Sequence, residues 1–105
     1  MTEDTGVAVA TARDPDGTVT VTVSGEVDIS NADVLRHELA VVTEAAPPRV
    51  VFDLGDLSFV DSSGIAVLVH VANSVPEVNV ARASPVVRRI LEVTGLAEHF
   101  RLGPA

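Results

Sequence analysis

Arg49-Val50-Val51-Phe52-Asp53-Leu54, followed by Gly55 to Val60 and then Asp61-Ser62-Ser63-Gly64-Ile65, is the stretch that decides the fold. Its first six residues are nearly all apolar and β-branched or aromatic, as expected of a central strand covered on both faces. Gly55 to Val60 reads as a loop. Asp61 then stands where a helix N-cap belongs, Val60 is placed to staple onto Ile65, and Ser62 and Ser63 fall in the first turn. The helix from Ser62 to about Asn73 is apolar almost all round, so it is expected to be mostly buried.

Upstream, Val7 to Ala12 is a short apolar run ending at Asp14-Pro15-Asp16-Gly17, whose Pro and Gly supply turn geometry. Thr18 to Ser24 alternates strictly, with Val19, Val21 and Val23 on one face, and pairs with the first run as a hairpin. Gly25-Glu26-Val27-Asp28 leads to Ser30, which has the chemistry of an N-cap, with Asp33 as capping-box acid and Ile29 placed to staple onto Val34. The helix that follows buries Leu35, Leu39, Val42 and Ala46, and Pro47-Pro48 ends it. Downstream, Val78 to Ala83 is a strand and Ser84-Pro85 a helix start. That helix turns Val87, Ile90 and Leu91 inward and Arg88 and Arg89 outward, and Gly95-Leu96 caps it. The order β-β-α-β-α-β-α implies an α/β fold with a mixed, mostly parallel sheet packed against helices.

Composition narrows the function. With 105 residues and 47% hydrophobic content, the chain suits a single domain with a core. A net charge of −8 works against binding through phosphate charges, so nucleic acid is not expected as a partner. Three Phe, no Trp and no Tyr leave no stacking platform for bases or sugars. Cysteine is absent, which removes thiol catalysis, disulfides and Cys-based zinc sites. Mean hydropathy is +0.36, yet the densest apolar stretch, Ile65 to Ala72, is far below the ~20 residues of a membrane span. The acidic N-terminus does not resemble a signal peptide, so a cytoplasmic protein without a membrane partner is expected.

Enzymatic readings fare poorly. A hydrolase elbow needs Gly-x-Ser-x-Gly, and Val60-Asp61-Ser62-Ser63-Gly64 lacks the first glycine. His37, His70 and His99 have no metal-ligand spacing, and no phosphate-binding glycine loop is present, so no catalytic residue, metal or cofactor is expected. Asp61-Ser62-Ser63-Gly64 itself has two readings. One is a plain helix start. The other is a phosphorylation site, where Gly64 lets another protein approach Ser63 and the helix dipole stabilises the added phosphate.

Three blocks together resemble the anti-sigma factor antagonist family, whose fold is the STAS domain. They are Gly25 to Asp28; Val51 to Leu54 continuing through Phe59 to Ile65; and Ser84 to Leu91 with Thr94-Gly95-Leu96. The match spans Val7 to Phe100 and implies one STAS domain over 1–105, ordered over about 7–101. It further implies a partner-switching phosphoprotein that regulates sigma-factor-dependent transcription in a stress response. Unphosphorylated, it binds an anti-sigma factor that is also a serine kinase; that kinase uses Mg-ATP to phosphorylate Ser63, and a serine phosphatase of the metal-dependent class reverses this. Glu26, Asp28, Asp61, Ser62, Ser63, Gly64 and Ile65 are the implied partner-binding residues, and no catalytic machinery is needed in the substrate. The alternative is a structural STAS module of a stress-signalling scaffold or transporter accessory complex. In one place the chain departs from the family pattern: Ile65 to Ser74 has no Arg or Lys and meets Val75-Pro76 about one turn early. Charge follows the motifs, since residues 26–61 carry eight acids against Arg36 and Arg49, and a basic face is expected on the partner there.

Overall fold

The alternating valines at 19, 21 and 23 put one face of a strand into the core, and the rest of the sheet is built around that strand. A computed structural model describes residues 5–103. Strands β1 (Val7–Arg13) and β2 (Val19–Val27) form the expected antiparallel hairpin. Then follow α1 (Ala32–Glu44), β3 (Arg49–Leu54), β4 (Leu57–Val60), α2 (Ser62–Ser74), β5 (Glu77–Ala83), α3 (Pro85–Val93) and the short α4 (Leu96–His99). The sheet order is β1-β2-β3-β5, with β3 parallel to both β2 and β5. No helix among the described residues is long and apolar enough to cross a membrane.

Val19, Val21 and Val23 of β2, Val50, Phe52 and Leu54 of β3 and Val78 and Val80 of β5 are buried beneath Leu35 and Leu39 of α1 and Val67, Leu68 and Val71 of α2. Each such side chain contributes about 1.5–3 kcal/mol when fully buried. The opposite face stays open: Ala8, Ala10 and Ala12 are exposed, and Thr20, Thr22, Val51 and Asp53 half-buried. Thus β3 is covered on one face rather than two, because the helices gather on one side of the sheet.

Several expectations change. Gly55 to Val60 is a turn followed by strand β4, which extends the line of β3 and pairs in parallel with the far end of β2, Glu26 beside Phe59 and Val27 beside Val60. The β2–β4 ladder slips by one residue between Gly25 and Glu26, leaving Ser58 of β4 as the extra residue. Gly25 itself (φ +95°) is required by β1, since a Cβ there would lie 2.2 Å from the Gly6 carbonyl oxygen. Helix α1 starts one residue later than expected, with Asn31 as N-cap, because the Ser30 amide and hydroxyl are both taken by Asp28 Oδ1 (2.9 and 2.5 Å). With that shift Asp33 is no capping-box acid and pairs with Arg36, and Ile29 is 84% exposed rather than stapled. Ala46 lies beyond α1, exposed and in the left-handed region (φ +50°). Helix α2 buries one face only, leaving Ala66 and His70 exposed. Arg88 is half-buried and donates from Nη2 to the Gly103 carbonyl (2.7 Å). That bond helps hold the C-terminal segment against β5, where Val80 N–H donates to Phe100 O (2.8 Å) and Gly103 N–H to Val80 O (3.0 Å).

Candidate functional site

The β2–β4 pairing brings two segments together at one end of the sheet, the loop Asp28 to Asn31 after β2 and Asp61 with the first turn of α2 after β4. They are joined directly, since the Asp61 amide donates to the Val27 carbonyl (3.1 Å). Asn31, buried, braces the first loop: its Oδ1 accepts from the Asp28 amide (2.9 Å), and its Nδ2 donates to the carbonyls of Thr5 (2.7 Å) and Glu26 (2.8 Å).

Asp61 caps α2 as its spacing implies. Its Oδ1 accepts from the Ser63 amide (2.9 Å), the Gly64 amide (3.3 Å) and the Ser63 hydroxyl (2.5 Å). These donors hold the carboxyl below its usual range, the Ser63 hydroxyl being the largest cause and desolvation working against it. The two serines therefore differ. Ser63 is half-buried with its hydroxyl aimed at a carboxylate; Ser62 is exposed, and its side chain makes no hydrogen bond among the described residues.

Six of the seven residues expected at the site line this rim. Glu26 and Ser62 are exposed, and Asp28, Asp61, Ser63 and Ile65 are half-buried. Gly64 is the correction: it is buried, and a Cβ on it would meet Val60 Cγ2 at 2.5 Å and Val27 Cγ1 at 2.7 Å. Its missing side chain lets the first turn of α2 settle on β2 and β4, and it offers a partner no surface. Sequence reasoning missed two neighbours. Ile29 and Phe59 (43% exposed) stand beside the acidic residues as apolar surface, Phe59 in register with Glu26. The signal available for them was weak, since a lone apolar residue before a helix or within an unrecognised strand reads as core.

No histidine ring is hydrogen-bonded to a serine hydroxyl among the described residues, the Ser74 hydroxyl donating only to the backbone carbonyl of His70 (2.8 Å), and no group there of three or more His, Cys, Asp or Glu could hold a metal ion. The arrangement is a rim of acidic and apolar groups around a hydroxyl held by a carboxylate.

The chain matches the STAS domain family model over residues 10–105. BtrV of Bordetella bronchiseptica is 33% identical over 89 residues, 81% of this chain and 77% of BtrV. The anti-sigma-F factor antagonist RsfB of Mycobacterium tuberculosis is 32% identical over 96 residues, 88% of this chain and 78% of RsfB. The crystal structure of an anti-sigma factor antagonist from Mycobacterium paratuberculosis superposes with a TM-score of 0.86 at 29% identity, covering 100% of this chain and 92% of the other.

Proposed function

Since this chain belongs to the anti-sigma factor antagonist family of STAS domains, we propose that it binds an anti-sigma factor through the rim around Ser63 and is released by phosphorylation of that serine. Its role is regulatory rather than catalytic. The observation that carries the reading is the 2.5 Å contact between Ser63 Oγ and Asp61 Oδ1 at the N-cap of α2. A hydroxyl so held keeps its oxygen lone pairs free for an incoming phosphorus, and the attacking group lies on a fixed helix end. Transfer from Mg-ATP, bound by the anti-sigma factor as kinase, joins Oγ to the γ-phosphorus, breaks the β–γ bridge and releases the hydroxyl proton.

The product cannot keep the starting geometry. Asp61 loses the O–H donor that stabilises its charge and gains a neighbour of about −1.5 to −2. The phosphate also competes for the Ser63 and Gly64 amides at the positive end of the helix. Asp61 and the first turn of α2 must rearrange beside Glu26, Asp28, Ser62 and Ile65, and the phosphate needs space that a partner packed on the unmodified rim does not leave. A partner fitted to the unmodified rim is displaced by this change of shape despite its basic face, and a serine phosphatase of the metal-dependent class restores the rim.

The test is to incubate the chain with an anti-sigma factor carrying a serine-kinase domain and Mg-ATP, then map the phosphate by mass spectrometry. Modification is expected at Ser63, retained in Ser62→Ala and lost in Ser63→Ala. Phosphate on Ser62 would reverse the assignment. Stable partner binding with no modification of either serine would favour a scaffold role.

A further inference from the structure

The two edges of the sheet are finished differently. At β5 the segment Phe100 to Gly103 occupies the backbone of Val80 on both its N–H and its C=O. At β1 no such cover exists among the described residues. The bonds Glu26 N–H to Gly6 O and Asp14 N–H to Thr18 O share the β1–β2 register, so the even-numbered residues 8, 10 and 12 face β2 with their backbone groups. Val7, Val9, Thr11 and Arg13 therefore point theirs outward. Of these, the Val7 carbonyl alone has a partner among the described residues, the Thr5 hydroxyl at 3.1 Å. The strand carries no proline, lysine or bulge from Val7 to Ala12, the devices that ordinarily block such an edge.

We propose that the open edge of β1 is a self-association surface, where a second copy of this chain pairs antiparallel about a two-fold axis at Ala10. Ala10 is the midpoint of β1, so this register overlaps the whole strand. It sets Val7 opposite Arg13 and Val9 opposite Thr11 of the other copy, each outward N–H meeting an outward C=O, with no like charges opposed. Beside the edge, Thr11, Ala12 and Arg13 of β1, Val41 and Val42 of α1 and Ala45 just after it line a groove of about 170 Å³, with Val41 68% exposed. The odd-numbered β1 side chains lie on this helix side, so Val7 and Val9 of the second copy arrive next to Val41. Arg13 arrives on the flank of α1 that carries Glu38; both residues are exposed, and neither has an ion pair among the described residues. Because the two-fold pairing uses the β1 edge of both copies, and Phe100 to Gly103 lies across β5 at Val80, association stops at a dimer.

The test does not involve Ser63 and stands apart from the proposed switch. Sedimentation of the whole chain from about 1 µM to about 1 mM is expected to show a monomer–dimer equilibrium, as for a small interface. Thr11→Pro, which removes an outward N–H and no internal bond, is expected to weaken it at least about tenfold while leaving the circular dichroism unchanged. Val41→Glu, which leaves the backbone alone, is expected to do the same. The two-fold brings both copies of residue 10 to about 4.5 Å between Cα atoms, within disulfide reach. Mild oxidation should then cross-link Ala10→Cys but not Ala8→Cys, in a chain with no native cysteine. A wild-type monomer throughout, a dimer indifferent to both Thr11→Pro and Val41→Glu, or equal cross-linking of the two cysteine variants would overturn the proposal.

Discussion

Replacing Gly64 by alanine tests whether the end of α2 is fixed by packing. The new Cβ would lie 2.5 Å from Val60 Cγ2 and 2.7 Å from Val27 Cγ1, about 1 Å inside ordinary contact. Neither valine can yield easily, since Val27 is fully and Val60 almost fully buried, and β-branched side chains have few χ1 choices. The strain falls on the first turn of α2. Overpacking of this kind costs about 1–3 kcal/mol, while alanine returns about 0.8–1 kcal/mol of helix propensity over glycine. Because the Cβ strikes two immobile valines at once, the cost falls in the upper half of that range, about 2–3 kcal/mol, and a net loss of about 1–2 kcal/mol follows, or roughly 5–15 °C in Tm for a domain of this size. Thermal and urea unfolding monitored by circular dichroism measure it. Because the strain moves Ser63, phosphotransfer should also slow at temperatures where the variant remains folded. A Gly64→Ala chain as stable as the wild type, phosphorylated at the same rate, would refute the reasoning.

Asn31→Ala leaves the Thr5 and Glu26 carbonyls and the Asp28 amide without their buried partner, and should cost about 2–3 kcal/mol in urea unfolding. Asp61 has a folded pKa below its ordinary 3.8, so its contribution is full above that value and lost as pH falls through the lower folded value. Asp61→Asn, which does not titrate, should therefore lose less stability than the wild type between pH 5 and pH 2, read from urea midpoints at each pH. Ile29→Asp alters a side chain that is 84% exposed and should leave stability within about 0.5 kcal/mol, while Phe59→Ser, at a side chain 43% exposed, should cost about 1–2 kcal/mol and leave the domain folded. In calorimetric titration both should weaken anti-sigma factor binding at least about tenfold if the apolar rim is part of the docking surface.

Local chemistry was legible where one residue and its near neighbours decide the outcome. Asp61 and Ser84 cap their helices as their positions imply, Ser84 Oγ accepting from the Val87 amide (3.3 Å). The valine alternation in β2 gave its buried face directly. What escaped depended on distant partners or on competition between near-equivalent ones. Strand β4 has four residues, too few for a periodic signal, and exists because β2 supplies a parallel edge at Glu26 and Val27. Ser30 and Asn31 both suit an N-cap, and the choice fell to Asn31 once Asp28 had engaged Ser30. Gly64 drew attention as a gap in a helix, but its reason lies in Val27, 37 residues earlier, which no reading of neighbouring residues could supply.

The switch itself is tested most directly by one comparison of affinities. Unmodified chain and chain phosphorylated stoichiometrically at Ser63 are titrated against the same anti-sigma factor by calorimetry at one ionic strength. The account predicts binding at least about tenfold weaker for the phosphorylated form, a difference of about 1.4 kcal/mol or more. Equal affinities for the two forms would contradict it.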